Sequence, residues 1–412
     1  MNPVIALALL AVVGLLAVRL PHPPFPRSPT LRLLLAGGAP LVLLGLVLGP
    51  GIGVLDRPTL AALAPLTALV VGWVGARLGA RWEWRVLRRV PRETLGLVAA
   101  QAVAGVGVAF LAAWLGTKLL PSLAAAWQPR LTAALTLGAV AIIPGSGAME
   151  RAARAAGLTP RTARSLRRIA LLDAACGTLV CAIALGWSHR RIGGIVPGWV
   201  VGLILEVAAG ALVAALFLGL ARLAREPRDL GIVLSATLLF GAGLGYAADL
   251  SPFLVCALAV AFIVNISGAR HRVRALLATW ERPTYEILFL LVGAALTLPT
   301  LWVLAAAPVL AVLRVLAQWS TVRSGLAYVP AASLSPNAGL ASVAQGGSAL
   351  ALGLSFSLAR GAGGGLLTTI ALGVVLTQAA APVLMRLALP SARLTGGVTG
   401  TELSADPKGA PR

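Results

Sequence analysis

The chain is 412 residues long, 58% apolar and only 11% charged, where a soluble domain of this size carries roughly a quarter charged residues. Its net charge of +21 comes almost entirely from Arg in short stretches between long apolar runs. That placement excludes a basic groove for nucleic acid and indicates membrane topology. Cys176, Cys181 and Cys256 all fall inside apolar runs, with neither metal-ligand spacing nor a disulfide framework.

The apolar runs are about 18 residues or longer, continuous rather than alternating, so they read as membrane-crossing helices and not as barrel strands. Thirteen spans are expected, at 3–20, 31–50, 58–78, 93–117, 131–147, 166–187, 196–220, 229–247, 250–267, 284–299, 301–320, 324–358 and 363–388. The first lacks a basic leading segment and a small-residue cleavage site, so it reads as a membrane helix rather than a removable signal. The fifth runs into Ile142-Ile143-Pro144-Gly145-Ser146-Gly147, where Pro removes a donor and Gly frees the backbone. The twelfth is too long for one straight crossing and holds a second such break at Ser342 to Ser348, with Gln345, Gly346 and Gly347 inside it. Each broken span is followed by the last span of its half. Residues 1–188 and 229–389 therefore read as two repeats of opposite orientation, joined by a linker helix at 196–220. Together they make one transmembrane domain over 1–389; the polar tail at 390–412 reads as a disordered cytoplasmic segment.

Orientation follows from the basic residues. The even-numbered loops hold Arg57, Lys118, Arg130, Arg190, Arg191 and Arg360, and Arg314 lies inside a span; all others of the 34 Lys and Arg fall in the odd-numbered loops and the C-terminus. The N-terminus is then expected outside and the C-terminus in the cytoplasm of a bacterial inner membrane.

Three charges lie well inside spans: Asp173 in span six, Glu206 in span seven and Arg314 in span eleven. Each costs a few kcal/mol at mid-bilayer, roughly 2.5–3.5 kcal/mol on insertion scales, so each asks for a reason. Asp173 reads either as a carboxylate that alternately holds a proton and a cation, or as half of a static ion pair with Arg314. Either way the two are expected within ion-pair reach. Glu206 reads as structural, because no second polar group accompanies it on its helix. No nucleophile, cofactor or phosphate motif points to an enzyme.

Several segments carry a family resemblance. Leu43-Leu44-Gly45-Leu46-Val47-Leu48-Gly49-Pro50, Leu250-Ser251-Pro252-Phe253-Leu254, Leu288-Phe289-Leu290-Leu291-Val292-Gly293 and Ala344-Gln345-Gly346-Gly347 occur in the order of similar segments in the monovalent cation:proton antiporter-2 family, the Kef-type and NapA-type antiporters. The resemblance implies a dimeric, thirteen-helix Na+/H+ antiporter fold with two crossed broken helices. It implies exchange of Na+ or K+ for protons by alternating access. It places cation and proton on Asp173, the basic partner on Arg314, and the ion pathway along Ile143, Pro144, Ser146, Gln345, Gly346, Gly347 and Ser348. The chain departs from the family at Leu172, at Ile142-Ile143 and at Ser348, where polar residues are usual. Those departures leave two alternatives open: a non-transporting or sensory relative in which Asp173 and Arg314 are a structural pair, and a sodium-coupled symporter of small anions on a related fold.

Overall fold

The computed structural model describes residue 12 and residues 38–90, 92–127, 130–156, 160–187, 197–223, 226–297, 300–325, 337–360 and 364–388. The span expected at 3–20, the polar tail and Pro330 lie outside the described residues, apart from Val12. Among those described the chain is all helical. In chain order the helices are α1 (Ala39–Leu46, continued by a π turn Val47–Gly51), α2 (Arg57–Ala62), α3 (Ala64–Gly79), α4 (Trp84–Leu87), α5 (Arg92–Leu119), α6 (Pro121–Ala126), α7 (Arg130–Ile142), α8 (Ser146–Ala155), α9 (Pro160–Gly186), α10 (Gly198–Ala221), α11 (Pro227–Ala247), α12 (Pro252–Ile266), α13 (Arg270–Thr279), α14 (Glu281–Ala295) and α15 (Leu301–Gly325). After a 3-10 turn (Ala338–Ser342) come α16 (Gly347–Arg360) and α17 (Gly364–Ala388).

Among the described residues six helices are long and apolar enough to cross a membrane, and the bent pair α7–α8 makes a seventh. The α1, α3, α12 and α16 segments are apolar but shorter. Each of the expected spans from the second onward has a helix at its place. Large apolar side chains stay exposed along these helices: on α15, Leu301, Trp302, Leu304, Val309, Val312 and Leu316 all face outward. Such a stripe is an aggregation hazard in water but the natural outer face of a helix in lipid. The chain is a multi-pass membrane protein.

The helices sort into two layers. Helices α1, α3, α11, α12 and α14 pack on one another; α5, α7, α8, α9, α15, α16 and α17 form the other group, with the 3-10 turn among them. The linker α10 touches both, packing on α11 and α12 on one side and on α9 on the other. Lipid offers no hydrophobic drive between helices, so close approach through small residues has to supply the packing. Gly75 and Gly79 of α3 do this: a Cβ at either would collide with the backbone of α12 at Phe253 or Ala257. The short interior ends are capped. The Asp56 carboxylate accepts from Thr59 N (3.0 Å) at the start of α2, and the Ser251 hydroxyl accepts from Leu254 N (3.3 Å) at the start of α12.

Two details differ from expectation. The fifth span does not end at 147: after the break the chain continues as α8, a charged half-helix to Ala155, turned 40° from α7. The twelfth span, expected from 324, starts later, and its residues 326–336 lie outside the described residues. Residues 324 and 325 still belong to α15, and the described part before the break is only the five-residue 3-10 turn. The turn is tight because the Ser342 hydroxyl bonds back to Gly339 O (2.9 Å) and Gly339 packs against the backbone of Gln318 and Trp319, where a Cβ has no room.

Candidate ion site

Both helix breaks lie in the interior and meet. The first spans Ile143 to Gly145, between α7 and α8; the second spans Val343 to Gly346, between the 3-10 turn and α16. A broken helix at membrane depth leaves carbonyls and N–H groups without intrahelical partners, and each unsatisfied group there costs several kcal/mol. The two breaks satisfy each other: Gly145 N donates to Ala344 O (3.0 Å), and the Gln345 side-chain amide donates to Val140 O (2.6 Å) in the last turn of α7. A Cβ on Gly145 would lie 2.5 Å from Gly346 N, so this approach requires glycine. Helix α17 closes the ring from outside. Thr377 Oγ1 donates to Gln345 Oε1 (3.2 Å), and Gln378 Nε2 donates to Gln345 O (3.0 Å).

Arg314 enters the same place from α15 and is 2% exposed. Its Nε donates to Ala141 O, one terminal nitrogen to Val343 O, and the other to Ser342 O (3.3 Å). One planar fork thus serves the carbonyls at the C-terminal ends of both half-helices. These are the negative ends of their dipoles, so the positive charge is well placed. Behind it, Gln101 of α5 donates to Ser342 Oγ (2.9 Å), which also lies 3.2 Å from Gln318 Oε1 of α15.

Asp173 sits on α9 and is 0% exposed. Gly177, one turn further along, lets α9 lie directly on α7: a Cβ there would be 2.7 Å from Ala139 O and would also strike Ile143. That contact carries the carboxylate to the level of the first break. Neither carboxylate oxygen has a hydrogen-bond partner among the described residues. The expected ion pair with Arg314 is not formed within 4.0 Å; the guanidinium donates to three carbonyls of the breaks instead. The two charges still act on each other electrostatically.

A cavity of about 980 Å³ reaches this centre from one side. Its inner end is lined by Pro144, Gly145, Gly346, Gly347 and Ser348 of the breaks and by Ala170, Leu171 and Ala174 of α9, on either side of Asp173 in sequence. Its outer end carries Arg77, Arg81, Glu83, Arg274 and Glu281. Here Arg274 pairs with Glu83 (2.8 Å) and Arg77 with Glu281. Beyond Arg314 and Gln345 lies a pocket of about 40 Å³, walled by Leu137, Ala141, Ala307, Leu310 and Ile370 among others. Of the residues singled out in the sequence, Ile143 is buried in the core beside α9, Gln345 is spent on joining the breaks, and Ser348 faces the cavity. The side chain of Ser146 lies outside the described part. Gln101, Gln318, Thr377 and Gln378 were not singled out, although each is a polar residue in an apolar run. Among the described residues no group of three His, Cys, Asp or Glu side chains is arranged to hold a metal. A cation here would rest on one carboxylate and neutral oxygens.

No protein-family model matches the sequence, and no curated protein matches it either. Solved structures do. The sodium proton antiporter MjNhaP1 from Methanocaldococcus jannaschii superposes with a TM-score of 0.64 over 94% of this chain and 100% of that one, at 13% sequence identity. The chain has the sodium/proton antiporter fold. At that identity the likeness is one of architecture, and the chemistry has to be argued from the side chains.

Proposed function

We propose that the protein exchanges a monovalent cation, Na+ or K+, for protons across the membrane by alternating access. Asp173 is the group that holds either the proton or the cation. The observation that carries this reading is a fully buried carboxylate with both oxygens unpartnered, beside two helix breaks bonded to each other and within reach of a cavity of about 980 Å³. A buried charge is tolerated when it is paired or functional, and pairing with Arg314 is not what this geometry provides. The half-helix N-termini at Ser146 and Gly347 point their positive ends at the same centre, which suits a carboxylate there. An asymmetry supports alternation: the wide cavity lies on one side of the breaks and the narrow apolar pocket beyond Arg314 and Gln345. The inverted repeats at 1–188 and 229–389, the cytoplasmic C-terminus and pairing of two copies complete the proposal. The matched antiporter supports the fold that such exchange uses.

The deciding experiment is dissipation of a preset pH gradient in everted vesicles by Na+, K+ and Li+, with wild type and Asp173→Asn. Exchange by wild type and none by a well-inserted Asp173→Asn protein is expected. Exchange that survives in Asp173→Asn refutes the assignment.

A second reading, sodium-coupled uptake of a small anion, draws on one observation. Arg151 of α8 lines the cavity with its Nε buried and without a partner. Sodium-dependent accumulation of a labelled dicarboxylate that is lost in Arg151→Ala, with no proton exchange, would favour it.

A further inference from the structure

Glu206 was the one buried charge with no assigned part. It lies on α10, is 3% exposed, and sits where three bodies meet: the linker α10, the N-terminus of α12 in one layer and α16 in the other. Its Oε1 accepts from Ser251 N (3.2 Å) at the capped start of α12, while its Oε2 is buried with no partner. Ser251 continues the chain of contacts across the two layers, with its hydroxyl 2.8 Å from the Ser355 hydroxyl of α16. α16 is the half-helix that begins at the second break. One hydrogen-bonded line therefore runs from the linker helix, through the start of α12, to the helix that carries the ion site.

The surroundings of Glu206 limit what this carboxyl can do. From α9 the facing titratable group is the Cys181 thiol, buried and within electrostatic reach. From α12, Cys256 turns away to Leu238 O of α11. At the end of α11 that leads into Ser251, Tyr246 and the following Asp249 are exposed. No Lys, Arg or His among the described residues pairs with Glu206. One oxygen with a single donor, the other with none, and no cation nearby among the described residues is a poor static arrangement, since an unpartnered buried polar group is costly and more so when charged. It is a good arrangement for a group that changes its proton.

The geometry points to Glu206 as a second proton-exchange site of the bundle, whose Oε2 binds and releases a proton as the Ser251–Ser355 contact between the layers closes and opens. The step is a bare proton transfer: Oε2 gains a proton from water admitted when the contact parts, and returns it to water by the same route. The coupling to layer movement rests on the exchange reading above; the protonation itself does not.

Infrared difference spectra between acid and alkaline pH, taken on purified protein in H2O and D2O, separate the two. A protonated carboxyl is read by its C=O stretch: with the proton on Oε2 the Glu206 carbonyl is Oε1, which accepts from Ser251 N and so absorbs below a carbonyl that accepts nothing. Asp173→Asn should keep one such band, Glu206→Gln should lose it, and Glu206→Asp should displace it. The Asp variant retains a carboxyl and guards against a fold lost in the Gln variant. A spectrum unchanged in both Glu206 variants, or no such band remaining in Asp173→Asn, overturns the site. Ser355→Ala keeps the carboxyl and removes the contact across the layers. Faster hydrogen–deuterium exchange of the band is expected there, and unchanged exchange overturns the coupling. A wild type that transports no cation defeats the proposed function while leaving the spectroscopic result intact.

Discussion

Replacing Arg314 and replacing Asp173 should have very unequal consequences for stability, because the two charges are held so differently. Arg314→Leu removes three hydrogen bonds from a charged donor and strands the carbonyls of Ala141, Ser342 and Val343 at the two breaks. A hydrogen bond to a charged group contributes about 1.5–3 kcal/mol, and a stranded buried acceptor costs about 1–3 kcal/mol. Against this stands relief from burying the guanidinium itself. Since removing one partner from a buried charged contact costs about 3–5 kcal/mol in measured cases, a net loss of about 4 kcal/mol is expected. That is close to a thousandfold in the folding equilibrium, at about 1.4 kcal/mol for each factor of ten. Asp173→Asn removes no hydrogen bond, since neither oxygen has one, and should change stability by less than about 1 kcal/mol. Reversible unfolding in mixed detergent micelles, read by tryptophan fluorescence, measures both. The double variant should be as unstable as Arg314→Leu. If Asp173→Asn is as damaging as Arg314→Leu, and the double change restores stability, the two residues are a static ion pair and the reasoning fails.

Two further outcomes follow from particular contacts. Gly145→Ala puts a Cβ against the backbone of Gly346 and pushes the breaks apart. A loss of about 1–3 kcal/mol in the same unfolding assay is expected, together with slower exchange in vesicles. Arg154→Cys, on an exposed position of α8, should react with a membrane-impermeant maleimide only in everted vesicles, and Lys118→Cys, at the end of α5, only in intact cells. The reverse pattern would overturn the orientation.

The breaks could be read from the sequence because Pro144, Gly145, Gly346 and Gly347 act on the backbone directly, and backbone effects do not wait for tertiary context. The buried charges could be read for a different reason: in an apolar run a carboxylate or guanidinium is costly enough to demand a role. The expected Asp173–Arg314 pair failed because the two kinds of signal were weighed apart. A break implies carbonyls in need of donors, and Arg314 is the donor that answers both breaks, which aims its guanidinium at the main chain and leaves the Asp173 oxygens without a hydrogen bond among the described residues. Gln101, Gln318, Thr377 and Gln378 stayed invisible since a neutral amide or hydroxyl in a membrane helix costs little and does not announce its partner. The linking role of Ser251 and Ser355 was equally hidden, for their contact spans 104 positions of the chain and depends on how the two layers meet.

The cage around the centre is made largely of main-chain atoms. Ala141, Ser342, Val343, Ala344 and Gln345 each offer a carbonyl, and Gly145 offers an N–H. Main-chain groups are supplied by every residue type, so few positions there, the glycines, the single arginine and side-chain donors such as Gln345 and Gln378, constrain which letters stand. A centre of this kind can drift far in its wording while its shape persists. That accounts for a chain whose sequence matches no family yet whose fold superposes over 94% of its length on a known antiporter. Other chains that keep such a centre should be recognisable by an interior arginine that answers two helix interruptions, rather than by any run of polar residues.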